Sequence, residues 1–148
     1  MTVRFALVTV VAVLGVALSA RADLKQVLAE PNLEKRSKLA LDNASAALKR
    51  VREAYQKGDL DAVRADVAEA LESVNITEKS LNETGKDPRR SPKWFKRAEM
   101  ETRDLGRRID SVQQEMSYTD RPLLDPLKTR TLQVHDALLV GLMEGKRK

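Results

Sequence analysis

A chain of 148 residues without cysteine excludes disulfides, thiolate metal sites and a cysteine nucleophile. With 3% aromatic residues, any core it builds must be aliphatic. Its formal charge of +5 arises from 27 Lys and Arg against 22 Asp and Glu, spread through a Leu- and Ala-rich background. That is the composition of a helical protein.

The first residues read as an address. Met1 to Arg4 carry one positive charge, Phe5 to Leu18 form an uncharged run of 14 residues, and Ser19-Ala20-Arg21-Ala22 follow. This tripartite order is the pattern of a signal peptide, residues 1–22, with Ala20 and Ala22 at the −3 and −1 positions and a cut before Asp23. The alternative is a membrane anchor over residues 5–20. That run is shorter than the roughly 20 residues a spanning helix needs. A lipoprotein anchor is excluded by the missing cysteine. The expected product is a periplasmic or secreted single domain, residues 23–148, which loses Arg4 and Arg21 and keeps a charge of only +3.

A short helical lead-in from Leu24 to Glu30 ends at Pro31, and Asn32 can cap what comes next. The first long helix spans about Leu33 to Lys57, with Leu33, Ser37, Ala40, Leu41, Ala44, Ala47, Leu48, Val51, Ala54 and Tyr55 along one face. Gly58 stops it and Asp59 caps the second, Leu60 to Thr84. The second stripe is Leu60, Val63, Val67, Ala70, Leu71, Val74 and Leu81, and Gly85 closes it. Ser91-Pro92 opens the third helix with a capping hydroxyl and then proline at N1, and the helix runs to about Tyr118. Phe95, Ala98, Thr102, Leu105, Ile109, Val112 and Met116 there alternate steps of three and four, as in coiled-coil-like packing. A connection rich in Asp and Pro, Thr119 to Asp125, leads to a fourth helix ending near Glu144. Its inward set is Leu127, Thr131, Val134, Leu138, Leu139 and Leu142.

Short links between long helices predict an all-α, up-down-up-down antiparallel four-helix bundle, preceded by the short helix and the signal-peptide helix. From Asp59 to Thr84 seven acids face two bases; from Lys86 to Arg108 nine bases face four acids. Opposite charge on consecutive helices predicts that the second and third lie side by side.

The segment from Lys86 to Arg97 holds six bases and one acid, with Trp94 and Phe95 inside it. Lys86, Arg89, Arg90, Lys93, Trp94, Lys96 and Arg97 therefore form a candidate anion-binding set. Bases can neutralise phosphates while a ring stacks or inserts. Export favours a lipid headgroup or envelope polymer over nucleic acid as the anion. His135, the sole histidine, lies beside the apolar face of the fourth helix without a Cys, CxxCH or Glu-x-x-His partner, so it reads as a packing residue and no cofactor or metal is expected. Asn43, Asn75 and Asn82 stand in N-x-S/T sequons just off the core stripes, where their side chains would be accessible. No catalytic constellation is recognisable. Glu99 and Glu101 are two apart on a helix and point apart, and Glu69 and Glu72 fall on a solvated acidic face. The expected role is non-enzymatic, through an envelope protein partner or, alternatively, through peripheral binding of anionic lipid or polymer.

The stretch Ala54-Tyr55-Gln56-Lys57-Gly58-Asp59-Leu60-Asp61-Ala62 resembles the turn of a tetratricopeptide helical hairpin. The resemblance covers one hairpin, and the period of about 34 residues does not recur downstream. It implies an αα-turn and no repeat array. As a whole, a signal peptide followed by Lys/Ala/Leu/Glu-rich helices is similar to uncharacterised exported bacterial all-helical proteins, a compositional likeness that implies no activity.

The third helix has the cleanest stripe, so its centre is the place to test it. Leu105→Ala or Ile109→Ala is expected to cost roughly 2–5 kcal/mol in urea unfolding, as other large-to-small core changes do. A parent-like midpoint for either would mean that another face of this helix points inward.

Overall fold

The computed structural model of the chain describes residues 23–145, so the expected signal peptide lies outside the described residues. All regular structure among them is helical, and the fold is all-α. Helix α1 covers residues 23–29. It is followed by α2 (Leu33–Gln56), α3 (Leu60–Glu83), α4 (Pro92–Glu115) and α5 (Asp125–Glu144), the last entered through a 3-10 turn at Arg121–Leu124. None of the described helices is long and apolar enough to cross a membrane.

The helix ends follow from local chemistry. Asn32 Oδ1 accepts from the Lys35 amide at 2.9 Å and Asp59 Oδ1 from the Ala62 amide at 3.0 Å, each satisfying a donor that a first turn leaves open. Gly58 and Gly85 follow α2 and α3 with φ of 73° and 68°. Nothing lies within 4 Å of where a Cβ would stand on either, so the left-handed backbone, and not a lack of room, calls for glycine. Ser91 behaves differently from expectation. Pro92 begins α4 as predicted, but the Ser91 hydroxyl makes no capping hydrogen bond. Helix α4 also stops before Tyr118. Met116 turns to extended backbone, and the Ser117 amide donates to the Tyr55 hydroxyl at 2.8 Å.

The order of cross-helix bonds gives the helix directions. Along α2 and α3, Ser37 meets Thr77, Asn43 meets Ser73, and Arg50 meets Asp66, so the two run in opposite senses. Along α4 and α5, Glu99 meets His135, Asp110 meets Lys128, and Gln113 meets Asp125, again in opposite senses. Arg52 of α2 reaches Ser111 and Glu115 of α4, and Arg130 of α5 reaches Asn75 and Glu78 of α3. Thus α2 packs on α3 and α4, and α5 packs on α4 and α3. Helices α3 and α4 barely touch, and α2 and α5 do not meet.

This corrects the expected pairing of the acidic and basic helices. The acids of α3 turn toward other partners: Asp66 and Glu69 pair with Arg50 of α2, and Glu78 with Arg130 of α5.

One apolar cluster joins the four long helices, with Leu48, Val51, Val63, Val74, Leu81, Leu105, Ile109, Leu127 and Val134 among its members. All seven residues of the α4 stripe are buried. Val27 of α1 packs separately with Ala40 and Ile76, which ties the short helix to α2 and α3. On α5, Leu127, Thr131, Val134 and Leu138 point inward, whereas Leu139 is exposed, contrary to its expected place in the core.

Thr131 is fully buried, yet its Oγ1 has no hydrogen-bond partner among the described residues. Burying a hydroxyl unpaired costs roughly 1–3 kcal/mol. Thr131→Val keeps the shape and removes the polar atom, so it should raise the unfolding free energy by about 1 kcal/mol, read from the denaturation midpoint. A loss of stability would mean that the hydroxyl is satisfied.

Candidate functional site

The seven candidate anion-binding residues gather at the end of the molecule where α3 finishes and α4 begins. Asp87 builds the connecting turn. Its Oδ1 accepts from the Arg89 amide at 2.9 Å, and its carbonyl accepts from the amides of Arg90 at 3.1 Å and Ser91 at 2.9 Å. The last turn of α5 seats on this loop. A Cβ on Gly141 would stand 3.2 Å from Pro88 Cγ, and one on Gly145 would stand 3.1 Å from Arg89 Cδ.

Within the set the bases divide into two groups. Lys86 Nζ pairs with Glu34 Oε1 of α2 at 2.6 Å, and Arg97 Nε pairs with Glu101 Oε1 one turn along its own helix at 2.9 Å. Arg89, Arg90, Lys93 and Lys96 are exposed and have no ion pair to a carboxylate among the described residues. Trp94 is half-buried against the core, with Lys93 Nζ 5.6 Å and Arg97 Cζ 6.0 Å from its ring centroid. Phe95, its neighbour, is a core residue.

Two polar clusters lie elsewhere, and neither was recognised in the sequence. Between α2 and α3, Asn43 Nδ2 donates to Glu69 Oε1 at 3.0 Å and to Ser73 Oγ at 2.9 Å, while Arg50 pairs with Asp66 at 2.9 Å and Glu69 at 3.1 Å. Asn43, Asp66, Glu69 and Ser73 are all buried. This overturns the expected accessibility of Asn43 and the solvated place given to Glu69, whereas Asn75 and Asn82 are exposed. Burial of the Arg50 guanidinium alone would lower its pKa. The hydrogen bond to Asp66 and the charges of Glu69 and Asp66 outweigh that effect and hold it above the ordinary arginine value. A raised pKa adds stability that is complete below the unfolded value, so this cation contributes constantly across neutral pH.

Between α4 and α5, buried Glu99 receives His135 Nε2 at 3.0 Å and Arg103 at 3.1 Å, and His135 Nδ1 lies 3.1 Å from Asp136 Oδ1. Both ring nitrogens of His135 face carboxylates, one on the adjacent Asp136 and the other on Glu99 of α4, a partner distant in sequence. No group of three or more His, Asp or Glu among the described residues could hold a metal ion.

The concave surfaces are modest. A hollow of about 400 Å³ between α2 and α4 is lined by Leu41, Asp42, Ser45, Met100, Glu101 and Asp104. Another, of about 200 Å³, lies at the basic end beside Lys86, Pro88, Phe95 and Gly141. No family model matches the chain, and no curated protein or solved structure matches it.

Lys93 contributes to the fold only its exposed contact with the Trp94 ring, and Lys96 has no ion pair to a carboxylate among the described residues. Lys93→Ala and Lys96→Ala should each leave the unfolding free energy within about 0.5 kcal/mol of the parent. Lys86→Ala, which strands the partly buried Glu34, should lower it by about 0.5–1 kcal/mol. Equal losses at all three positions would indicate that the basic segment is structural throughout.

Proposed function

We propose that the chain is an exported, non-enzymatic four-helix bundle that works by binding in the cell envelope, and that it binds an anionic surface with its basic end. The tripartite pattern of residues 1–22 supports export. The alternating helix directions, with each long helix packed mainly on two others, support the bundle.

The observation that carries the reading is the group Arg89, Arg90, Lys93 and Lys96. These are four exposed cations at one end of the molecule, without carboxylate ion pairs among the described residues, beside a half-buried tryptophan. The remaining charges of the neighbourhood are matched internally, Lys86 by Glu34 and Arg97 by Glu101. Each base near an anionic membrane contributes about 1 kcal/mol, so four of them supply a usable affinity that falls as salt screens it.

The test is co-sedimentation of the purified protein with phosphatidylglycerol vesicles and, in parallel, pull-down on an immobilised anionic polymer, at low and high salt. Binding at low salt should be lost on adding salt, and the fourfold change of Arg89, Arg90, Lys93 and Lys96 to Gln should abolish it. No binding to either material at low salt would overturn the reading.

A further inference from the structure

We infer that the furrow between α2 and α4 receives a second copy of this chain, turned about a two-fold axis so that the furrows lie face to face and antiparallel. None of Arg89, Arg90, Lys93 and Lys96 takes part in this contact.

Helices α2 and α4 run in the same sense, since Ser45 and then Arg52 of α2 meet Arg108 and then Ser111 and Glu115 of α4. They pack more thinly on each other than the two helices of either hairpin do. Three hollows, of about 400, 250 and 350 Å³, follow one another along the join, from Asp42 and Asp104 at one end to Gln56 and Glu115 at the other. Leu41, Leu48 and Val112 lie at their floor, and Met100 stands exposed on the rim.

The rims carry charge in a definite order. On α4, Arg97, Glu101, Asp104, Arg108, Ser111 and Glu115 succeed one another at steps of four and three, which places them along one edge. Counted outward from the middle of this row, Asp104 stands against Arg108 and Arg97 against Glu115. An axis laid across the furrow between Asp104 and Arg108 meets α2 near Ser45, which lines the same hollow as Asp104 and whose carbonyl accepts from Arg108 at 3.4 Å. Asp42 and Lys49 of α2 are evenly placed about that height. Both helices therefore select the same axis.

A copy turned about it sets Asp104 over Arg108 and Asp42 over Lys49, and the symmetry makes each contact twice. Within one chain Asp104, Lys49 and Arg108 have no ion pair among the described residues, and Asp42 and Glu101 pair only along their own helices, with Lys38 and Arg97. A partner of uniform charge would meet repulsion along part of this furrow. A two-fold contact instead requires a surface that complements itself, which is the order found here. In such a dimer the two basic ends point in opposite directions.

The test is sedimentation velocity of the purified protein over a range of concentrations, with circular dichroism confirming the fold of each variant. The parent should be a dimer at low salt and should dissociate as salt is added. Asp104→Arg and Arg108→Asp, both at exposed positions, set like charges against each other and should each raise the dissociation constant roughly tenfold or more. The two changes combined in one chain exchange the charges but keep the order self-complementary, so the double variant should dimerise as the parent does. A monomeric parent would overturn the inference and leave binding of vesicles or polymer by the basic end untouched. Parent-like dimers in both single variants would also overturn it, since the copies would then meet on another face. So would a double variant no better than the singles, because Asp104 would not be facing Arg108.

Discussion

Arg50 brings a cation to two buried carboxylates, and the placing of α3 on α2 depends on it. Asp66 and Glu69 are each only 7% exposed, and both receive the same guanidinium. Asn43 and Ser73 complete the cluster by bonding to Glu69 and to each other. A buried ion pair is not in itself a source of net stability, because desolvation offsets most of the attraction. Its contribution here is register. Sliding α3 by one turn along α2 would leave both carboxylates without a cation, an error the alanine-rich apolar face could not detect so sharply.

The separation of α3 from α4 bears on the positive charge left at one end of the molecule. The acids of α3 are spent inward and sideways, on Arg50 and Arg130, and α3 barely meets α4. Among the described residues the bases at this end therefore have two carboxylate partners, Glu34 of α2 for Lys86 and Glu101 for Arg97. Charge that balances along the sequence does not balance in space. The binding end proposed above is what remains when the internal pairs are counted off.

Local features were the legible ones. Asn32, Asp59, Gly58 and Pro92 mark helix boundaries because each acts on its own turn, and the α4 stripe from Phe95 to Met116 is buried throughout because periodicity selects a face. Periodicity does not select a neighbour. The choice of α2 and α5 as the partners of α4 depends on pairings such as Glu99 with His135, which are distant in sequence. Asn43 and Glu69 were misjudged for the same reason, since each is buried by a partner on another helix. Of the candidate site, residues 86–97 could be read directly because they are contiguous. That Gly141 and Gly145 of the α5 end lie against this loop is disclosed only by the fold.

The concentration of packing within α2–α3 and within α4–α5 also bears on how the chain reaches this state. Each pair is closed by a short connection, so little loop entropy opposes its formation. Helical topologies dominated by such local pairings are the fast folders, completing in microseconds to milliseconds. A chain leaving the ribosome emerges from its amino end. The first hairpin, with Arg50, Asp66 and Glu69 all within it, could then zip shut while α4 and α5 are still in transit. No cysteine has to find a mate, and the second hairpin would dock onto a template already in register.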